Sequence, residues 1–167
     1  MKLYSRPGND LTKRFPLIVE ALARLRAPSC TIGGEAVACG DEGLTSFDLL
    51  RHRRQNDRVF LYAFDLIELT GDDRRRNPLE QRKLDLSRLL AKAGPGVRLN
   101  EWMDGDESDG ATMFAHACKL GLEGIVSKRK ESTYRSGRSP DWLKMKNPAA
   151  PAVKREAEED WSKEKWR

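Results

Sequence analysis

Aromatic residues make up only 7% of this 167-residue chain, and cysteine occurs three times. Cys30, Cys39 and Cys118 are odd in number and far apart, and no C-x-x-C pair occurs, so neither a zinc ribbon nor a dithiol redox centre can be built from them. They read as buried or half-buried thiols in a reducing compartment. No apolar run approaches the ~20 residues a bilayer-crossing helix needs. Met1-Lys2-Leu3-Tyr4-Ser5-Arg6-Pro7 also lacks the apolar stretch of a secretory signal. The expectation is a soluble, cytoplasmic protein with no membrane partner, and the length suits about one domain.

What is abundant is charge. Charged residues make up 34% of the chain against 38% hydrophobic, with a mean hydropathy of -0.70: enough apolar content for a core under a heavily solvated surface. The formal charge is +5, and it has an address. Residues 1–123 and 149–167 are each balanced, whereas residues 124–148 hold seven basic side chains against Glu131 and Asp141. A local basic stripe favours an anionic partner.

Periodicity and turn chemistry outline the elements. Lys2–Arg6 reads as the end of a strand before the Pro7-Gly8-Asn9-Asp10 turn. Pro16 suits the first turn of a helix with Leu17, Ile18, Ala21, Leu22 and Leu25 on one face. Cys30–Cys39 reads as a strand, Ser46 as the cap of a short helix to Arg53, and Val59–Ile67 as a buried strand. A polar turn, Asp72–Asn77, leads to a helix from Pro78 with Leu79, Leu86, Leu89 and Leu90 inward. Val97–Trp102 reads as a short strand, followed by an acidic loop at Asp104–Asp109. The next helix carries Met113, Phe114, Ala117 and Leu120 and is closed by Gly121. Gly124–Lys128 and Trp142–Lys146 are the last strands, and Ala149–Arg167 is a charged tail or linker. The irregular alternation predicts an α+β fold with mainly antiparallel sheets.

Residues two apart in a strand share a face, so Lys144 and Lys146 would project together. Two adjacent ammonium groups repel unless an anion or water lies between them, and a phosphate chain suits that place. The same spacing also fits an amphipathic strand with Leu143 and Met145 buried and both lysines in solvent. Glu123 precedes a glycine that would let a ligand approach the backbone, and its carboxylate suits a divalent metal or a ribose hydroxyl; a surface turn explains it equally well. Glu35 lies amid Ile32, Ala36 and Val37, and a carboxylate entering a largely apolar strand needs a partner or a ligand. Phe64 could stack on a base or simply fill the core.

Taken in chain order, these segments resemble the nucleotidyltransferase (adenylation) domain of ATP-dependent DNA ligases, especially the ligase module of bacterial end-joining repair proteins. The family's Ser-Arg-x-Gly motif is matched by Ser5-Arg6-Pro7-Gly8 and its Asp-Gly-Glu motif by Gly33-Gly34-Glu35. Its aromatic-Asp-Leu motif is matched by Phe64-Asp65-Leu66, its Glu-Gly-Ile-Val-x-Lys motif by Glu123–Lys128, and its Leu-Lys-x-Lys motif by Leu143–Lys146. The likeness covers roughly residues 2–148, and residues 1–148 are taken as one partial adenylation domain.

The resemblance implies an ATP-grasp-like domain and a three-step reaction in which a lysine takes AMP from ATP, AMP passes to a 5'-phosphate at a DNA nick, and the 3'-hydroxyl displaces it. It further implies ATP as AMP donor, Mg2+ or Mn2+, and nicked or broken duplex DNA as partner, in bacterial-type, nucleoid-associated repair and recombination alongside other end-joining proteins. Residue by residue, Arg6, Glu35, Phe64, Glu123, Lys128, Lys144 and Lys146 would bind the nucleotide. Glu35 and Glu123 would serve the metal, Lys144 and Lys146 would activate the phosphate, and Arg129, Lys130, Arg135 and Arg138 would contact DNA.

The chain departs from the family in three places. Neither Asp-Gly pair, Asp104-Gly105 or Asp109-Gly110, follows a lysine in the family's Lys-x-Asp-Gly arrangement, so the nucleophile is missing, and Lys2 lies in the wrong motif. Gly33 stands where the family has Asp, and the residues after Asn147 are too few for the family's oligonucleotide-binding barrel. The expectation is a truncated form, incomplete at its N-terminus, with self-adenylation lost. The alternatives are a noncatalytic nucleic-acid-binding module or a nonfunctional remnant.

Overall fold

A computed structural model describes residues 1–40, 49–50, 58–105, 109–151 and 153–154. The chain runs α1 (Pro16–Ala23), β1 (Cys30–Val37), β2 (Phe60–Leu69), β3 (Asp72–Asp73), α2 (Leu79–Leu90), β4 (Val97–Leu99), α3 (Asp109–Lys119), β5 (Gly124–Lys128) and β6 (Trp142–Lys146). These elements group into two compact units, Met1–Glu101 and Trp102–Arg167. The mixture of helices and largely antiparallel sheets is the expected α+β class.

In the first unit, β2 is the central strand. Its aromatic and branched sequence suits burial on both faces, and β1 pairs antiparallel with it along its whole length. The other edge of β2 is shared: β3 returns antiparallel at Glu68 and Leu69, while β4 runs parallel at Leu61–Ala63. That parallel pair is an exception to the expected antiparallel pattern, and the crossover that parallel strands require contains α2. The β2–β3 link is a two-residue turn, Thr70-Gly71, with positive φ at both positions (53° and 88°), the geometry that suits the twist of a tight hairpin. A strand therefore forms at Asp72–Asp73, where composition suggested only a loop.

Helix α1 starts with Pro16, whose missing N–H costs nothing in a first turn, and buries Ile18, Ala21 and Leu22. With Phe15, Leu61, Ala63, Leu66, Leu86, Leu90 and Val97 these side chains form one core, each large member worth roughly 1.5–3 kcal/mol of transfer free energy. Helix α2 buries Leu79, Arg82, Leu86 and Leu90.

Lys2–Arg6 differs from the expected strand. Among the described residues its β-pairing is a single bridge, Tyr4 to Asp10, because the chain reverses at Pro7-Gly8: Gly8 N–H donates to the Ser5 carbonyl (2.9 Å) and Leu11 N–H to the Leu3 carbonyl (2.8 Å). The strand expected at Val97–Trp102 stops at Leu99: its register with β2 runs from Leu61–Val97 to Ala63–Leu99 and ends on the hydrogen bond from Asn100 N–H to the Ala63 carbonyl (2.8 Å). The short helix expected from Ser46 lies outside the described residues except for Leu49 and Leu50, as do the middle of the acidic loop and residues 155–167 of the tail.

In the second unit, α3 buries Ala117, while Leu120 is exposed beyond the helix end. Gly121, at φ 73°, closes the helix: its N–H donates to the Cys118 carbonyl and that of Leu122 to the Ala117 carbonyl, a Schellman pattern that only a residue at ease in the left-handed region completes without strain. β5 and β6 form an antiparallel hairpin with the expected boundaries. The three cysteines are free and half-buried.

Candidate functional site

The sequence-derived site residues fall into two sets, one in each unit. In the first unit, Arg6 stands exposed at the tip of the loop that replaces the expected strand. The loop is pinned at its base. The Ser5 hydroxyl accepts from Asn9 N–H (3.0 Å), Thr12 Oγ1 accepts from Leu3 N–H (3.0 Å), and the Asp10 carboxylate accepts from Thr12 N–H (2.8 Å) and from the Lys2 ammonium (3.0 Å). Hydrogen bonds from Thr12 and Lys2 hold the Asp10 carboxyl well below its usual range, at about 2.

Glu35 pairs across the sheet with Tyr62 and is exposed, so burial does not oblige it to have a partner, and its carboxylate stands in solvent. Two residues earlier the register slips. Gly33 pairs with Asp65 and Gly34 with Ala63, which leaves Phe64 as the extra residue of a β-bulge. Such bulges re-aim a side chain. Here the half-buried Phe64 ring lies over bare glycine backbone, Cε2 sitting 3.7 Å from where a Gly33 Cβ would be.

Beside the bulge is a pair that the motif reading missed. Asp65 and Arg82 are 1% and 0% exposed. Arg82 Nε donates to Asp65 Oδ1 (2.7 Å), Nη2 to Oδ2 (3.1 Å) and Nη1 to the Asn77 carbonyl (2.6 Å), while Asp65 Oδ1 also accepts from Leu66 N–H (2.9 Å). The signal for it was in the sequence, since Arg82 follows Leu79 by three residues and precedes Leu86 by four, within the apolar stripe.

In the second unit the β5–β6 register places Gly124 opposite Lys146, Val126 opposite Lys144, and Lys128 opposite Trp142. Lys128, Lys144, Lys146 and Trp142 therefore share one face of the hairpin. The Lys128 ammonium lies 3.9 Å from the centroid of the Trp142 ring, in cation–π range. On the other face Leu143 is 62% exposed, so this strand is not the amphipathic one with Leu143 buried. Asn147, 3% exposed, ties the hairpin's ends together: its N–H donates to the Glu123 carbonyl (2.8 Å) and its Nδ2 to the Leu122 carbonyl (2.9 Å). Glu123 is thereby fixed in backbone while its carboxylate is exposed.

Of the four residues assigned to DNA, Arg129 pairs with Asp141 (3.7 Å) and Lys130 with Asp104 (3.0 Å), whereas Arg135 and Arg138 are exposed and make no ion pair among the described residues. No group of three His, Cys, Asp or Glu side chains capable of caging a metal occurs among the described residues. Single exposed carboxylates such as Glu35 and Glu123 fit a magnesium ion, which takes most of its ligands from water and substrate phosphates and one or two from protein.

Residues 1–146 match the family model described as an ATP dependent DNA ligase domain. The chain is 37% identical over 150 residues to the multifunctional non-homologous end joining protein LigD of Pseudomonas aeruginosa, covering 87% of itself and 18% of that protein. It is 32% identical over 160 residues to a DNA ligase of Pyrobaculum calidifontis, of which it covers 27%. Among solved structures it resembles the ligase domain of M. tuberculosis LigD, with a TM-score of 0.73 and 35% identity, over 87% of this chain and 47% of that one. It also resembles a mycobacterial DNA ligase D complexed with ATP and MES, with a TM-score of 0.72 and 34% identity. The chain thus spans less than a third of these two curated relatives and about half of the solved ligase domain.

Proposed function

Because the chain belongs to the ATP-dependent DNA ligase family, matching its domain over residues 1–146, we propose that it binds an adenine nucleotide and the phosphate backbone of nicked or broken DNA in end-joining repair. The observation that carries this reading is the hairpin face on which Lys128, Lys144 and Lys146 stand together beside Trp142. Cations gathered on one face of a strand pair suit a polyphosphate, whose α-phosphoryl group would meet Lys144 and Lys146. Phe64 would stack on adenine, Arg6 and Glu35 would meet the sugar, and Glu123 would share a magnesium ion with the phosphates; that ion would offset the charge that develops on phosphoryl oxygens. Arg135 and Arg138, with Arg129 and Lys130, would follow the DNA backbone. The relative solved with ATP supports the choice of nucleotide.

These 167 residues contain no Lys-x-Asp-Gly, so the chain by itself has no amine placed to accept AMP. Of the three ligase steps it is competent at most for the last, attack of a 3'-hydroxyl on a DNA-adenylate, in which that amine takes no part. The test supplies purified protein and magnesium with either radiolabelled ATP or pre-adenylated nicked duplex. Sealing of the pre-adenylated nick without covalent labelling of the protein is expected. Labelling at a lysine would overturn the missing nucleophile, and failure to bind ATP in a titration would overturn the nucleotide reading. Salt-sensitive binding to duplex DNA that persists without any nucleotide affinity would mark a noncatalytic DNA-binding module instead.

A further inference from the structure

We propose that Arg82 is a positioning residue for the nucleotide base, acting through Asp65 to fix the bulge whose extra residue is Phe64. The proposal rests on the nucleotide reading above and adds a group that none of the motifs contains.

Three observations carry it. First, Phe64 is the residue skipped between two paired neighbours, Gly33–Asp65 and Gly34–Ala63, at one of the two register slips along β1 and β2, so its direction is set by the bulge rather than by the pleat. Second, Asp65, the paired residue next to the bulge, is anchored at both carboxylate oxygens. Oδ1 accepts from its own strand at Leu66 N–H and from Arg82 Nε, and Oδ2 accepts from Arg82 Nη2. Third, Arg82 is itself fixed to the turn before α2 through Asn77. A planar guanidinium fork meets all three acceptors in fixed directions, whereas an ammonium group is a rotatable point charge that does not reproduce the bidentate fork. The position after the bulge therefore cannot rotate without stranding a buried charge, and Phe64 is held next to it.

A structural pair has cheaper solutions. An apolar contact between β2 and α2 would avoid desolvating two charges, and replacing buried ion pairs with hydrophobic residues is often neutral or stabilising. What the ion pair adds is direction: a bidentate bond admits one rotamer of Asp65, whereas an apolar contact admits several.

The experiment compares wild type, Arg82→Lys and the double variant Asp65→Leu/Arg82→Met, which removes both charges together and so keeps the test alive if the lysine variant fails to fold. Binding of ATP and of inorganic tripolyphosphate is measured by calorimetry. The ring resonances of Phe64 are followed by carbon-13 NMR and assigned from their loss in Phe64→Leu. Folded variants are expected to lose about tenfold in ATP affinity, the scale of one base–aromatic stack, with tripolyphosphate binding unchanged and the Phe64 ring resonances displaced. A folded variant that keeps wild-type ring resonances and wild-type ATP affinity overturns the proposal. Equal losses for ATP and tripolyphosphate also overturn it, because a general loosening of the unit would produce them. If wild type binds no ATP, the nucleotide reading falls, and the ring resonances alone decide whether Arg82 positions Phe64.

Discussion

Gly34 of β1 lies against Leu61 of β2 with no room for a side chain: a Cβ at position 34 would come within 2.7 Å of Leu61 Cδ1 and 2.8 Å of the Tyr62 carbonyl oxygen. Its neighbour differs. A Cβ on Gly33 would meet Asp65 Cβ at 3.5 Å and Phe64 Cε2 at 3.7 Å, both ordinary contacts. Gly34→Ala should therefore cost about 1–3 kcal/mol, the usual range for overpacking, while Gly33→Ala should cost less. Urea unfolding midpoints of the two variants check this, and a Gly34→Ala midpoint at or above that of Gly33→Ala would refute it.

Asp65 and Arg82 carry the second prediction. Removing one partner leaves the other charge buried, so Asp65→Ala or Arg82→Ala should each destabilise the protein by about 3–5 kcal/mol. Removing both in Asp65→Leu/Arg82→Met should recover most of that loss. A double-mutant cycle of Asp65→Leu, Arg82→Met and the two together, read by chemical denaturation, measures the coupling. Additive losses would mean that the two side chains do not depend on each other.

That pair also shows where the sequence was legible and where it was not. The β5 and β6 boundaries could be read because each short run is set off by turn chemistry, Gly121 and Gly124 before β5, Gly137 and Pro140 between the strands, and Asn147-Pro148 after β6. Helix α2 was equally readable from its leucines, yet Arg82 was passed over because an arginine on a helix is usually solvent-facing. Its stripe position and the lone Asp65 in an apolar strand become meaningful only together, and a contact across 17 residues is not a local signal. Phe64 shows the same limit. Its aromatic-Asp-Leu setting was visible, but the bulge that aims it depends on a register slip against β1, and register is a property of two strands. The loop at Arg6 departs from its composition for a local reason: Lys2–Arg6 has strand-like residues, but the Pro7-Gly8 reversal leaves it one bridge among the described residues.

The Arg6 loop should respond to acid. Asp10 ionises at about 2 in the folded protein because Thr12 and Lys2 hydrogen-bond its carboxylate, below its ordinary value of 3.8. A depressed carboxylate contributes order that is fully present above the ordinary value and is lost as pH falls through the folded one. The amide resonances of Leu3 and Thr12 should therefore hold steady from pH 7 to about 4 and move as pH falls through about 2. Asp10→Asn should abolish that titration and loosen the loop at neutral pH. Movement centred near pH 4 would show that Asp10 is not held. Both side chains of the Lys2–Asp10 pair are exposed, so added salt should weaken its share of the effect.

The hairpin face yields the last prediction. Lys144 stands two residues from Lys146 and across from Val126, with the Lys128 ammonium over the Trp142 ring on the same face. If Lys144 were there for the fold, Lys144→Ala would lower the melting temperature. If it is there for a phosphate, its removal relieves like-charge repulsion and leaves stability unchanged or slightly raised. Loss of one charge-assisted contact should then weaken ATP binding by about tenfold to a hundredfold. Trp142 supplies the optical readout, since phosphate drawing on Lys128 would change the field at the indole ring. ATP should alter the tryptophan fluorescence of wild type but not that of Trp142→Phe, and the change should shrink as salt is raised. Gly124→Ala is the structural counterpart. At φ 148° and with a Cβ that would collide with the Met145 carbonyl oxygen, it should break the strand register and abolish both the fluorescence change and the binding. A Lys144→Ala variant that melts lower yet binds ATP as wild type does would return the lysines to the solvated surface.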